Sequence, residues 1–488
     1  MNTKTKVFED IIYVSDGHVR RADIVVEDEF IAKITDKEEL AGTKTGALTE
    51  YLKAVASSGA TVLLPGIIDE HVHTREPGLT HKGDLTTETR AAAAGGVTSI
   101  MDMPNVVPQT TSLEALAERQ ALGAAHAFVN YSFYFGATNA NSALLPQLDP
   151  TEVPAVKLFM GSSTGGMLVD HGDALQMVFE CSPLPIMTHC EDSAIISKNM
   201  HEAQARYGDD PAVSHHSEIR SREACVASTK LAIELALKHG SHLHVAHLST
   251  ADELKLLENL ESLESLENLE PLEHLEHLEK LDALDNLAYP LNRRSSARIT
   301  AEVCLPHLLF CDEDYATLGT RIKCNPSVKT RADRDALRCA IADGRIATVA
   351  TDHAPHLLSE KEGGCKRAAS GMPMVQFSLV AMLQLVDEGI VSLPQAVALM
   401  CHHPAQLFAI RDRGFIREGM KADLTLVHRQ PWMLSSQNIV SRCGWSPLEG
   451  RTFDWQVAET YCNGRLIYDH GSFAQGNLHA QALRFDRD

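Results

Sequence analysis

Two histidines one residue apart, His71 and His73 in "IIDEHVHTREPG", are the first residues whose spacing suggests chemistry. On a strand, residues i and i+2 share a face, so both imidazoles point the same way. Two neutral imidazoles at the end of an apolar strand can bind one divalent metal. Alone, the pair also suits a structural role. Further polar residues close other apolar stretches: His189 in "LPIMTHC", His247 in "HLHVAHLST" and Asp352 in "IATVATD". Each has a plainer reading. His189 could be a satisfied core histidine, and Asp352 could cap the next element. His247 competes with His242 and His244; His242 falls before the strand, and His247 lies closest to its C-terminal end. Taken together, four histidines and one aspartate suit zinc or a similar transition metal. They could serve two ions, but nothing obvious among them would bridge the two.

Lys157 is the remaining oddity. It sits in "PAVKLFMGSS" among Val156, Leu158, Phe159 and Met160. A lysine in a buried strand costs several kcal/mol, roughly, unless its charge is compensated. A neutral lysine amine can react with carbon dioxide to form a carbamate, an anionic bidentate oxygen ligand that two metals would neutralise. The other readings are a lysine paired with a buried acid, or one that snorkels to solvent.

These residues need elements to position them. Short apolar strands alternate with helical stretches such as "TTETRAAAAGG" and "EACVASTKLAIELALKHG" through the middle of the chain. The βαβα order predicts a parallel sheet, and its repetition favours a closed (β/α)8 TIM-like barrel, an α/β fold. The strand candidates are "TVLLPGIIDEHVH", "VTSIMDMPN", "HAFVNYSFYFGA", "PAVKLFMGSS", "LPIMTHC", "HLHVAHLST", "RITAEVCLPHLLF", "TRIKCNPSV" and "IATVATDHAPH". Polar residues crowd their C-terminal ends, where barrel enzymes carry their active sites. Strands broken by Asp-Gly, Glu-Asp, Asn-Gly and His-Gly turns occur near both termini. They predict one small β-sandwich built from both ends. The expected division is 1–62 and 408–488 for the sandwich with a C-terminal tail, and 63–407 for the barrel. Within the barrel, 252–292 stands out as an insertion. From Leu256 to Leu287 it repeats leucine and acid every three residues, a period that matches neither helix nor strand. It reads as a low-complexity, charged loop insertion, or alternatively as a partner-binding helix.

Composition narrows the function classes. The 488-residue chain is long enough for a barrel and an accessory domain, and its net charge of −21 argues against a nucleic-acid partner. No apolar run reaches the ~18 residues of a membrane span. The start, "MNTKTKVFED", lacks the apolar core of a signal peptide. Eleven scattered cysteines without a C-x-x-C pair favour reduced thiols and a cytoplasmic protein. The acidic total leaves an anionic small-molecule substrate open, because a few local cations can reverse the field in a pocket.

"PGIIDEHVHTREPG", "AAAAGGVTSIMDMPN", "VKLFMGSSTG", "MTHCED", "VAHLST" and "ATDHAPH" occur in that order. This ordered set resembles the cyclic amidohydrolases, most closely the dihydroorotase family. The likeness spans nearly the whole chain, including "GMKADLTLV", but not the triplet repeat. The resemblance implies a (β/α)8 barrel with a composite β-sandwich and a binuclear zinc site. His71 and His73 match the ligands of one metal, His189 and His247 those of the other. Lys157 matches the carbamylated bridge, and Asp352 a ligand that also serves as general base and acid. Arg75, Asn105, Asn325 and His356 match the substrate contacts, and the backbone at Gly371 aligns with a ring contact. Asn325 also reads as a turn residue before Pro326. The activity implied is reversible hydrolysis of a cyclic amide, and a homodimer is the implied assembly. Two departures stand out: "NPSVK" at Asn325–Lys329, where many relatives have Asn-Pro-Pro-Leu-Arg, and "LPHL", which leaves His307 without its usual histidine neighbour. His307 is assigned no catalytic role. The competing activities are those of an allantoinase or a dihydropyrimidinase/hydantoinase, and, from another class, a non-catalytic scaffold that keeps only the fold.

Overall fold

The computed structural model describes residues 4–41, 61–161, 166–258, 298–476 and 480–487. Most of the Leu/Glu repeat expected at 256–287 lies outside them. The residues just before it are described: Ala251–Glu258 is a helix with Leu254 in the core.

From the N-terminus, β1 (Thr5–Ser15), β2 (His18–Glu27) and β3 (Phe30–Ala41) form an antiparallel meander. The β1–β2 turn is the Asp-Gly pair, with φ of 54° at Asp16 and 77° at Gly17. Two positive φ values give the hairpin turn whose twist matches the flanking strands. "TVLLPGIIDEHVH" reads as one strand but forms two. β4 (Thr61–Pro65) pairs with β1, and β5 (Ile67–Val72) joins β6 (Val97–Asp102). The Pro65-Gly66 pair explains the break, since proline removes a ladder donor and glycine permits the change of direction.

The C-terminal strands β14 (Leu424–Met433), β15 (Thr452–Cys462), β16 (Arg465–Asp469) and β17 (Ser472–Phe473) complete the sheet. Its order is β17-β16-β15-β14-β4-β1-β2-β3, one continuous sheet built from both termini. The sheet folds over a small core in which Ile11, Tyr13 and Ile24 meet Leu424, Leu426 and Tyr461. The opposite faces of the same strands, with Ile12, Val14 and Val62, belong to the main core shared with the barrel. Each such fully buried aliphatic side chain stabilises the fold by about 1.5–3 kcal/mol.

The barrel strands continue with β7 (Asn130–Phe133), β8 (Phe135–Gly136), β9 (Val156–Phe159), β10 (Ile186–His189), β11 (Leu243–Val245), β12 (Ile299–Cys304) and β13 (Thr348–Ala350). All their pairings are parallel. Only Tyr134 separates β7 from β8, so the described residues supply eight barrel strands when these two are counted as one. No ladder joins β13 to β5. A single parallel bridge between Val72 and His353 spans that edge, and the His73 N–H donates to His353 O at 2.7 Å. The strands are short and buried, as a sheet covered by helices requires.

The covering helices begin and end where the sequence allows. Leu85–Ala94 starts at Asp84, whose carboxylate accepts from the Thr87 N–H at 2.7 Å, and stops at Gly95-Gly96. Arg222–His239 stops at Gly240, which has φ of 66°. No helix among the described residues is long and apolar enough to cross a membrane.

Two stretches differ from expectation. "TRIKCNPSV" is not a strand: Gly319–Ile322 is a 3-10 turn followed by a loop. Its apolar residues, Ile322, Cys324 and Val328, bury without a ladder, and Pro326 could not donate to one. "LPHLL" at the end of another strand candidate is a short helix, Leu305–Leu309. The tail also does more than trail from the sandwich. Ala482 bridges Tyr131, Leu483 and Phe485 are buried, and Arg487 donates to Val153 O and Pro154 O.

Candidate metal centre

The candidate residues come together at the C-terminal ends of the barrel strands. His71 lies in β5 and His73 just beyond it; Lys157 lies in β9; His189 ends β10; His247 follows β11 by two residues, and Asp352 follows β13 by two. The Nε2 atoms of His71 and His73 lie 3.4 and 3.1 Å from Asp352 Oδ1. On the other side, His189 Nδ1 lies 3.0 Å from His247 Nε2. The two groups adjoin, with the rings of His71 and His247 5.3 Å apart between centroids.

The second ring nitrogens decide what these side chains can do. His73 Nδ1 donates to Asn105 Oδ1 at 2.8 Å. His71 Nδ1 donates to Glu302. His189 Nε2 donates to Glu191 at 2.8 Å, and Arg220 pairs with the same carboxylate. Each donation fixes the tautomer and leaves the other nitrogen as a lone pair directed into the site. The Nε2 atoms of His71 and His73 converge on one carboxylate oxygen, an arrangement that suits a shared cation. His247 Nδ1 and Lys157 Nζ have no hydrogen-bond partner among the described residues. Donor chemistry and orphaned atoms together fit a binuclear metal site.

Lys157 is fully buried, and its Nζ lies 5.4 Å from the centroid of the Phe159 ring. Val156 and Leu158 belong to the hydrophobic core; Lys157 and Phe159 share the other face of the strand. Burial pushes the Lys157 pKa down, against the opposing pull of Glu302 and Asp352. That shift increases the fraction of neutral, nucleophilic amine. Burial alone would raise the Asp352 carboxyl, but His71, His73 and Lys157 outweigh it and hold it at about 2. Burial lowers His73 to about 4. At neutral pH Asp352 is thus an ionised carboxylate beside a neutral His73. The backbone is unusual here too: Arg75, His247 and Asp352 have φ of 74°, 38° and 46°. Left-handed conformations at non-glycine residues concentrate at functional sites.

A cationic flank adjoins the histidines. Arg75 is buried; its Nε donates to Pro355 O at 3.1 Å, and its Nη2 lies 3.1 Å from His356 Nε2. Lys82 Nζ donates to His356 Nδ1 at 3.1 Å, so Nε2 carries the ring hydrogen, and Ser370 O accepts it at 3.1 Å. Burial, Arg75 and Lys82 hold His356 far below the usual imidazole range, hence neutral. Gly371 closes this side with φ of 128°. A Cβ there would stand 2.7 Å from both Cβ and O of Ala354, so only glycine fits. Its N–H donates to Lys323 O at 2.8 Å and its carbonyl accepts from Lys361 at 2.7 Å.

Asn325 stands apart from this group. Its Oδ1 lies 3.2 Å from His216 Nε2, and it makes no hydrogen bond to the histidine–aspartate group among the described residues. Next to it, Pro326 O accepts from His307 Nε2 at 3.0 Å. Glu302, Glu191 and Lys82 are absent from the residues that the sequence singles out. Glu302 carries the same signal as Lys157, a charge within an apolar strand. Glu191 and Lys82 carry none, because a charged residue in a loop is ordinary.

Residues 62–467 match the amidohydrolase family. The chain is 30% identical to the dihydroorotase of Halobacterium salinarum over 469 residues, covering 95% of this chain and 96% of that protein. It is 29% identical to the dihydroorotase of Methanothermobacter thermautotrophicus, with 85% and 86% covered. Among solved structures it resembles an L-hydantoinase from Arthrobacter aurescens (TM-score 0.82, 23% identity, 98% and 99% covered). It also resembles a dihydropyrimidinase from Brevibacillus agri (TM-score 0.78, 22% identity, 96% of each chain covered). These two likenesses establish a shared barrel-plus-sandwich fold.

Proposed function

The chain belongs to the amidohydrolase family, and from that premise we propose that it is a dihydroorotase. The reaction is reversible hydrolysis of the ring amide of (S)-dihydroorotate to N-carbamoyl-L-aspartate. The observation that carries the choice of substrate is the Arg75–His356–Lys82 flank beside His71, His73 and Asp352. A buried guanidinium of this kind is best satisfied by an anion, and dihydroorotate offers a ring carboxylate. Hydantoin and dihydrouracil offer none.

His71 and His73 with Asp352, and His189 with His247, would hold two metal ions, zinc by donor type. Lys157 would stand between them as a carbamate, formed when its neutral amine adds to CO2 and loses a proton. When bound, the ions supply Lewis-acid polarisation of the amide carbonyl. Asp352, ionised at neutral pH, accepts a proton from the attacking water as the new C–O bond forms. It returns that proton to the ring nitrogen as the C–N bond breaks. Arg75 and His356 grip the ring carboxylate, and Asn105 steadies His73 while lining the same side. Asn325, on the loop beside His216, would contribute a further contact to the substrate. The Gly371 segment, clamped by Lys323 and Lys361, shapes the wall against the ring.

The test is a substrate panel of dihydroorotate, allantoin, dihydrouracil and hydantoin, assayed on zinc-loaded protein with bicarbonate. Turnover of dihydroorotate should exceed the others by at least ~10²-fold in kcat/KM, the scale of losing one anchored charge contact. Preference for allantoin or for the uncharged rings would assign the site to those activities. Absence of turnover with metal bound would leave a scaffold.

A further inference from the structure

The loop that carries "NPSVK", residues 325–329, is fastened from several sides. Ser217 Oγ donates to Val328 O at 2.6 Å, and His307 Nε2 donates to Pro326 O at 3.0 Å. Lys329 Nζ donates to Ser327 O and Oγ at 3.0 and 2.8 Å. Ser327 Oγ in turn donates to Arg220 O at 3.1 Å. The two hydroxyl bonds come from a departure from the usual Asn-Pro-Pro-Leu-Arg run, because a proline at 327 would offer no hydroxyl. Arg220 is itself held, through its guanidinium, by the Glu191 carboxylate that accepts from His189. Within residues 322–329 only Asn325 is not buried.

His216 meets the loop at this one open position. It starts the short helix His216–Ile219 and is buried, with its ring edge-on to Tyr315 at 6.4 Å between centroids. Its Nε2 lies 2.9 Å from Cys324 O and 3.2 Å from Asn325 Oδ1. A backbone carbonyl can only accept, so Nε2 carries a hydrogen whatever the charge of the ring. That N–H is shared between the two oxygens. A side-chain amide beside an N–H donor turns its oxygen to it, and its NH2 group then faces away. Asn325 Nδ2 makes no hydrogen bond among the described residues. The loop therefore offers two unused amide hydrogens from a side chain whose orientation is already set.

We propose that His216 is a positioning residue for the substrate: by occupying Asn325 Oδ1, it aims the two amide hydrogens at an oxygen of the bound ring, on the reading above that a cyclic amide binds here. Dihydroorotate presents two ring carbonyls and a carboxylate, all of them acceptors. Without the His216 bond the amide could turn either end to the ring, and one of the two sets oxygen against oxygen. Fixing the amide in advance also lowers the ordering cost of binding. His216 itself touches no reacting atom and acts only through Asn325.

Steady-state kinetics on zinc-loaded variants of the full chain test this. His216→Leu should raise KM for dihydroorotate by ~3–10-fold, the scale of one hydrogen bond, with kcat little changed and metal content unaltered. His216→Gln keeps an N–H near the place of Nε2 and should restore most of the loss. Added to Asn325→Ala, His216→Leu should cost nothing further, because it acts through that side chain. Asn325→Asp should bind substrate worse than Asn325→Ala, since it sets an anion opposite substrate oxygens. Losses that add in the double variant, loss of metal in His216→Leu, or tighter binding by Asn325→Asp than by Asn325→Ala would overturn the proposal. If His216→Leu does not fold, the comparison of the two Asn325 variants still decides. Turnover of allantoin or an uncharged ring in place of dihydroorotate would count against the dihydroorotase reading alone. The same variants are then read on that ring, whose carbonyl oxygens are also acceptors. Where turnover is absent, calorimetric binding of the rings reads the same order, and a chain that binds none of them would overturn both.

Discussion

Asp352 combines three properties that a proton shuttle needs. It is ionised at neutral pH, its Oδ1 lies 3.1 Å from His73, and its left-handed backbone, φ 46°, aims it across the barrel mouth. Asp352→Asn keeps the shape and removes the base. We expect kcat to fall by ~10²–10⁴-fold, the usual contribution of a positioned acid–base group, with the far-ultraviolet circular dichroism unchanged. Lys157 is the other decisive residue. Lys157→Ala should lose bound metal, counted by mass spectrometry, and most activity, while the barrel stays folded. A short carboxylic acid in solution should restore part of the turnover by standing in for the carbamate. Full activity in Lys157→Ala without additive would sink the bridging role.

At the scale of elements, the site depends on how closely β9 and β10 approach. Gly161, just past β9, faces the backbone of Glu191, just past β10. A Cβ at Gly161 would stand 1.7 Å from Glu191 O. Backbone cannot swing away as a side-chain tip can, so Gly161→Ala must part the two strand ends that carry Lys157 and His189. The expected result is a loss of about 1–3 kcal/mol in denaturant unfolding, the range for overpacking, together with weaker metal retention on dialysis. An unaltered metal count would mean that the strand ends tolerate the shift. The same scale explains why "TRIKCNPSV" misleads: it has the apolar content of a strand, but no neighbouring strand accepts it.

Across the whole molecule, the sheet and the barrel meet at His402. The Asp16 N–H donates to its Nε2 at 3.1 Å, and its Nδ1–H donates to Gly414 O at 2.6 Å. Asp16, His403 and Arg417 are the charged or titratable groups around it. Burial lowers His402 to about 4. An unfolded imidazole titrates near 6.5, so as pH falls the unfolded chain takes up this proton first. Stability is therefore lost between about pH 6.5 and 4, and His402 accounts for up to about 3 kcal/mol of that loss. Urea unfolding at pH 7 and pH 4.5 should show a smaller difference in His402→Gln than in the unaltered chain. Burial likewise lowers His242, to about 3, and that adds a loss of the same sign.

Much of what depends on local pattern was legible in the sequence. Alternating apolar runs with Asp-Gly and Asn-Gly turns gave the sheet strands and their hairpins. Short apolar strands between helices gave the barrel, and polar residues at strand ends marked His71, His73, His189, His247 and Asp352. Lys157 stood out because a charge in an apolar strand demands an explanation. The tertiary structure decided what depends on partners distant in the chain. It split "TVLLPGIIDEHVH" between sheet and barrel, and it returned the C-terminal tail to the barrel beside Tyr131. It set Glu302 against His71, 231 residues away in sequence. It also brought Glu70 and His244 to that same glutamate. The reason is physical. A residue's period and turn chemistry are properties of its neighbours in sequence, whereas a tautomer or an unsatisfied acceptor is defined only by what the fold places within about 3 Å.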